Sequence, residues 1–220
     1  MITESKSGPS QLKNSAAMSD YPNRSVVFPA TPKYKIAVSG SAVNNCAPGA
    51  YLKAKMIGHE IAKRDAVLIT GATTDIPHWA TIGAKEHGGI SIGLSPASSK
   101  AEHVKKYHLP VSYMDLIIYT GFDYSGRNLL MIRSADAAIF VCGRIGTLNE
   151  FTIAFEDKKP IGILMSTGGI STEIEEILET AKRGYGNVVF DEDPASLVEK
   201  VVALIKVGEK NPTVHREKFD

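Results

Sequence analysis

Apolar positions fall in short, nearly unbroken runs from Tyr34 onward, each run followed by a segment with helical spacing. The runs at 34–39, 67–70, 90–94, 116–120, 137–141, 161–165 and 187–190 predict strands. Segments 52–63, 76–87, 100–107, 126–134, a stretch opening at Thr147, 172–183 and the stretch after Asp193-Pro194 predict helices. Thr172 and Glu175 stand at capping-box spacing. Asp193 followed by Pro194 reads as an N-cap with proline in the first turn. Strands this uniformly apolar are buried on both faces, which predicts a parallel sheet covered by helices. About seven strands are too few for an eight-stranded barrel. The expected fold is therefore α/β, a doubly wound, Rossmann-like, mostly parallel sheet with helices on both faces.

Before Tyr34 the pattern vanishes. Residues 1–33 are polar and rich in Ser, Pro and Asn, and read as a flexible arm in which Val26–Phe28 could dock. Residues 34–207 form the expected nucleotide-binding domain, and 208–220 a charged tail. At 220 residues there is room for one domain with a substantial core.

The formal charge of +1 gives no reason to expect a polyanionic partner, so nucleic acid is not expected. No apolar run is long enough to span a bilayer, and the N-terminus lacks a signal-peptide layout. The two cysteines, Cys46 and Cys142, are too few for a disulfide framework and have no metal-ligand spacing. A reducing, cytoplasmic setting with no metal and no cofactor is the expectation, and Cys142 reads as a small packing residue.

Chemistry concentrates where strands end. Gly40-Ser41, Gly71 with Thr73, Gly121, and Gly143 through Thr147 all follow strands directly, and are expected to line one edge of the sheet. The turn Cys142-Gly143-Arg144-Ile145-Gly146-Thr147 runs from a strand into a helix. The N–H groups of a helix start and its dipole favour an anion. Its spacing is neither that of a Walker loop nor that of the dinucleotide fingerprint. A turn that binds nothing fits the spacing as well as a phosphate cradle does. Thr147 and Glu150 are also a capping-box pair, so Glu150 is either a cap or a ligand contact. Arg127, read at a helix start, opposes the dipole unless an anion lies near; the alternative is a surface arginine. Asp75 reads as a cap or as a contact to a ribose hydroxyl. His78 and Trp79 read as packing or pocket-wall residues.

The stretch RNLLMIRSADAAIFVCGRIGTLNEFTIAFEDKKPIGIL resembles the LOG-type proteins, long labelled possible lysine decarboxylases, within the SLOG superfamily. The similarity is nearest to the branch that includes molybdenum-cofactor carrier proteins, and extends more weakly over 35–205. The family signature Pro-Gly-Gly-X-Gly-Thr-X-X-Glu is matched at Gly143, Gly146, Thr147 and Glu150, with Arg127 at the upstream arginine. Its proline is Cys142 here and its second glycine is Arg144, which could clamp a further phosphate or fill the space for one.

The strand-end clustering and the resemblance together predict nucleotide or phosphate binding through Gly40, Ser41, Gly71, Thr73, Gly143, Arg144, Gly146 and Thr147. The resemblance also implies a homo-oligomer. Two functions follow as alternatives. One is a phosphoribohydrolase that cleaves the N-glycosidic bond of nucleoside 5′-monophosphates, with Glu150 and Arg127 catalytic. The other is a non-catalytic binder or carrier of a nucleotide or a phosphorylated cofactor such as molybdenum cofactor. A decarboxylase is disfavoured, because no lysine has an evident place beside the turn to hold pyridoxal phosphate.

Overall fold

The computed structural model describes residues 32–43 and 45–210; residues 1–31 of the arm, Val26–Phe28 included, and residues 211–220 lie outside that range. Strands and helices alternate throughout. They run β1 (Lys35–Gly40), α1 (Ala50–Lys63), β2 (Val67–Thr70), α2 (Ile76–Glu86), β3 (Ile90–Ser95), α3 (Lys100–Lys105), β4 (Leu116–Tyr119) and α4 (Asp123–Ser134). Then come β5 (Ala137–Val141), α5 (Ile145–Glu156), β6 (Ile161–Leu164), a 3-10 turn (Gly169–Thr172), α6 (Ile174–Ala181), β7 (Val188–Asp191) and α7 (Pro194–Lys210).

The described strands form one seven-stranded sheet, in the order β4-β3-β2-β1-β5-β6-β7, with every neighbouring pair parallel. The chain steps outward from β1 to β4, then returns to lay β5 against the other side of β1. Strand order therefore reverses between β1 and β5, and ligands of doubly wound sheets bind at such a reversal.

Alternate residues of each strand feed two cores, as period-2 side chains must. Ile36, Val38, Ile139 and Val141 pack under α1, α2 and α7 with Ile57, Ile61, Leu197 and Val201. Ala37, Ala138 and Phe140 pack under α4, α5 and α6 with Met131, Ile132, Phe151 and Leu178. Strands β2, β5 and β6 are buried at every position. Edge strand β4 is not: Leu116 and Ile118 are exposed.

Several predicted boundaries move. Helix α4 starts at Asp123, not Gly126, and α5 starts at Ile145, not Thr147. Glycine costs a helix only about 1 kcal/mol, so both glycines sit inside their helices. The predicted capping box at Thr172 does not form, because Thr172 ends the 3-10 turn and its hydroxyl donates to the Gly169 carbonyl at 2.8 Å. Asp193 does cap α7, accepting from the Ser196 amide at 2.8 Å.

Candidate functional site

A cavity of about 480 Å³ opens at the β1/β5 reversal, within the size range of small-molecule sites. Its lining includes Gly40, Ser41, Gly71, Thr73, Arg127, Arg144, Gly146, Thr147 and Glu150. Of the residues singled out from sequence, only Gly143 among the site set is not on the wall; it is buried beneath the turn. Gly121 is also off the wall, because β4 is an edge strand with β3 and β2 between it and β1.

The turn after β5 is built tightly. Gly143 has φ +99°, and a Cβ there would lie 2.5 Å from the Thr147 side chain. Cys142 itself has φ +58°, a value that proline, fixed near −65°, could not adopt. Neighbouring segment 167–171 clasps this turn: the Cys142 amide donates to Thr167 Oγ1, and the Cys142 and Gly143 carbonyls accept from the Ser171 and Ile170 amides. Arg144 occupies the N-cap position of α5 with no side-chain cap bond. Thr147 is then the third helical residue and no N-cap, which removes the capping-box reading of Thr147 and Glu150.

Gly146 differs from the other glycines of the site. A Cβ on it would meet nothing within 4 Å. No packing demand explains this glycine, and its bare backbone faces the cavity at the first turn of α5, where helical N–H groups lack intrahelical acceptors. Gly146→Ala should therefore leave stability unchanged or raise it by about 0.5–1 kcal/mol, while weakening anion binding at least about tenfold. Thermal melts and a phosphate titration of the same variant check both halves.

Beneath the turn lies a buried polar cluster. Glu150 is 6% exposed and Arg127 is 5% exposed, with Arg127 Nη1 3.9 Å from Glu150 Oε1. The Ser39 hydroxyl donates to Glu150 Oε2. Asn128 turns its amide nitrogen to Glu150 Oε1 at 2.7 Å and to the Tyr124 carbonyl at 2.9 Å. Glu150 is thus neither a cap nor free. Arg127 is neither at a helix start nor on the surface, since α4 begins four residues earlier and turns it inward. Its remaining partners are the Met131 sulfur at 3.7 Å and the Tyr124 ring, 5.9 Å away, while Nε has no partner. Gly71 makes room for it: a Cβ there would lie 1.6 Å from Nη1.

Burial raises the Glu150 carboxyl above its ordinary range, against the opposing pull of Arg127 and Ser39. Burial also lowers the Arg127 guanidinium, opposed by Glu150. A carboxyl raised on folding costs stability as pH climbs from its unfolded value, about 4.3, through its folded one. Glu150→Gln should therefore gain on wild type between about pH 4 and pH 8. Urea denaturation at both ends reads this; a relative loss for the variant would mean a depressed carboxyl.

Beside Arg127 the wall is aromatic. Tyr107 and Tyr124 meet edge to face, 5.7 Å between centroids, and Tyr107 hydrogen-bonds to Asp123. Buried His103 fastens this segment. Its Nε2 donates to the Pro110 carbonyl at 2.9 Å, which leaves Nδ1 to accept from the Ser95 hydroxyl at 2.8 Å.

Sequence reasoning missed Ser39, Asn128 and both tyrosines. A serine inside an apolar strand was the one visible signal. Asp75 stands at the N-cap position of α2 without a side-chain cap bond, and hydrogen-bonds Tyr51 instead. His78 packs edge to face on Tyr113, and Trp79 leans on Tyr51; neither is on the cavity wall.

Cys46 and Cys142 form a disulfide, with Cα atoms 5.7 Å apart. This overturns the expectation of two separate thiols. Parallel neighbours β1 and β5 end side by side, so the loops that follow them meet although the cysteines are 96 residues apart.

The family model of the SLOG cluster4 family matches residues 33–198. The chain belongs to this family. An uncharacterized protein of Archaeoglobus fulgidus is 30% identical over 130 residues, 59% of this chain and 79% of the relative. Among solved structures, the molybdenum cofactor binding protein of the phototrophic bacterium Rippkaea orientalis is 26% identical with a TM-score of 0.65, over 81% of this chain and 98% of that one. The molybdenum cofactor carrier protein of Chlamydomonas reinhardtii is also 26% identical, with a TM-score of 0.66 over 80% and 99%. The SLOG cluster4 assignment and these likenesses agree with the resemblance read from the signature.

Proposed function

We propose that the cavity binds a phosphorylated small molecule with a planar heterocyclic head, and holds it without cleaving it. The observation that carries this reading is Arg127: a buried guanidinium on a cavity wall whose Nε has no partner. Glu150, 3.9 Å from Nη1, is its charged partner but leaves Nε unmet, a cost that a second anion would offset. A phosphate would lie against the first turn of α5, with the Thr147 hydroxyl and the Arg144 guanidinium beside it. The heterocycle would lie against Tyr107 and Tyr124, whose rings offer apolar faces. Molybdenum cofactor binding by the Rippkaea and Chlamydomonas proteins supports a pterin phosphate as the cargo. A nucleoside 5′-monophosphate satisfies the same groups.

The second reading is a phosphoribohydrolase, favoured by Glu150 beside Arg127 on the wall. A carboxylate there would stabilise an oxocarbenium-like transition state. Binding is the better supported of the two, because the Glu150 oxygens are already engaged by Ser39, Asn128 and Arg127.

The test incubates the protein with a panel of nucleoside monophosphates beside Glu150→Gln, followed by mass spectrometry and thermal melts. Intact nucleotides that raise the melting temperature support the binder. Free base and ribose 5-phosphate from wild type alone would establish the hydrolase instead. Among the described residues no helix is long and apolar enough to cross a membrane. A cytoplasmic location belongs to the proposal, with cell fractionation as its check. So does self-association, supported by exposed Leu116, Ile118, Leu129 and Leu130 on β4 and α4; a monomer mass by light scattering would remove it.

A further inference from the structure

We propose that Cys46 and Cys142 are a thiol–disulfide exchange site, at which a dithiol opens the rim of the cavity and an oxidised dithiol closes it. The two sulfurs are unequal. Cys142 is fully buried, whereas Cys46 is partly exposed in the irregular loop between β1 and α1. That loop forms the rim: Ser41, Ala42 and Val43 line the cavity a few residues from Cys46. The disulfide therefore ties the rim to the turn that opens α5.

The two sides depend on the bond to different degrees. On the Cys142 side the turn is held by three hydrogen bonds from Thr167, Ile170 and Ser171, all of which survive reduction. On the Cys46 side three ties also reach outside the loop, but only that of Ala47 lies beside the cysteine, the others being at Ser41 and Ala42. Ala47 donates to the Thr167 carbonyl at 2.9 Å, the Thr74 hydroxyl donates to the Ala42 carbonyl at 2.7 Å, and the Ile76 amide donates to the Ser41 carbonyl at 3.1 Å. Ser41 otherwise bonds within the loop, to Val43 and Asn45. Breaking the cross-link leaves one tie beside Cys46 against three at Cys142 and Gly143, so the rim loosens more than the turn.

Exposure sets the order of the chemistry. A thiolate of the incoming dithiol attacks Cys46 Sγ, and the disulfide breaks with its electron pair on Cys142 Sγ, which takes a proton. The second thiol of the dithiol then attacks the mixed disulfide and releases Cys46 as a thiol. The protein gains two electrons and two protons, and the dithiol leaves as its cyclic disulfide. Reversal needs only an oxidised dithiol.

The consequence for ligand binding rests on the phosphate reading above; the exchange itself does not. The full chain is equilibrated in graded reduced and oxidised dithiothreitol, then alkylated and weighed. Hydrogen exchange and a titration with inorganic phosphate are recorded for both forms, and for Cys46→Ser as a permanently open rim. Expected are two alkyl groups gained together on folded protein. Amide exchange in 41–43 and 45–47 should be at least about tenfold faster in the reduced form and in Cys46→Ser, with β5 and β6 still protected. Phosphate affinity should differ between the oxidised and reduced forms. Reduction only after unfolding, unchanged exchange in 41–43 and 45–47, or equal phosphate affinity in both forms would overturn the proposal. Phosphate binding to neither form removes the ligand reading instead, and hydrogen exchange alone then decides whether the rim opens.

Discussion

Arg127→Met is expected to lower affinity for a phosphate-bearing ligand at least about 30-fold. Truncating a buried charged partner costs about 2–5 kcal/mol of binding, and 1.4 kcal/mol is tenfold. Methionine keeps most of the stem, so the lost interaction is that of the guanidinium. The same variant has a distinctive pH signature. Breaking a buried ion pair costs about 3–5 kcal/mol where the remaining charge persists. Here the remaining group is Glu150, whose carboxyl burial already raises and Arg127 pulls down. Without Arg127 it takes up a proton more readily, and a neutral carboxyl is cheap to bury. The variant should be near wild-type stability at about pH 5 and clearly weaker at about pH 8. Denaturation at the two values measures this, and adding Glu150→Gln should remove the difference between them.

Gly58→Ala should destabilise the protein by about 3 kcal/mol, at the upper end of ordinary overpacking costs. An alanine in a helix interior normally helps by up to about 1 kcal/mol, so the sign itself is informative. Helices α1 and α2 cross at two glycines. A Cβ on Gly58 would lie 1.8 Å from the Ala80 carbonyl oxygen, and one on Gly83 would lie 1.9 Å from that of Lys55. Both obstacles are backbone, which cannot swing aside as a side chain can. The helices would have to separate, and α2 carries Pro77 of the cavity wall at its start. Urea denaturation measures the loss; a neutral result would mean that the crossing is looser than these contacts imply. Gly146→Ala is the matched control, the same chemical change in a helix where the missing Cβ meets nothing.

Much of the fold was legible because buried parallel strands must be apolar at nearly every position, as 67–70, 137–141 and 161–165 are. The helix starts were less so. Gly126 and Gly146 read as boundaries, and each proved to be a helical residue. That error mattered for the site, since it put Arg127 at a helix end and left Glu150 open to a capping role. Three-dimensional placement, with α4 and α5 packed over β1 and β5, decides both, and no local pattern encodes it. The disulfide was illegible for a related reason: the adjacency of β1 and β5 comes from the reversal of strand order, not from the spacing of Cys46 and Cys142. The aromatic wall comes from the segment after α3 and from α4, with no motif to mark either.

The most direct measurement is a titration of isotope-labelled protein with inorganic phosphate, followed by amide and guanidinium nitrogen NMR. Saturable shifts confined to the amides of residues 143–147 and to Arg127 Nε–H are the predicted result. Shifts scattered over surface lysines, with Arg127 Nε–H and the α5 turn unmoved, would contradict the assignment of the cavity as a phosphate site.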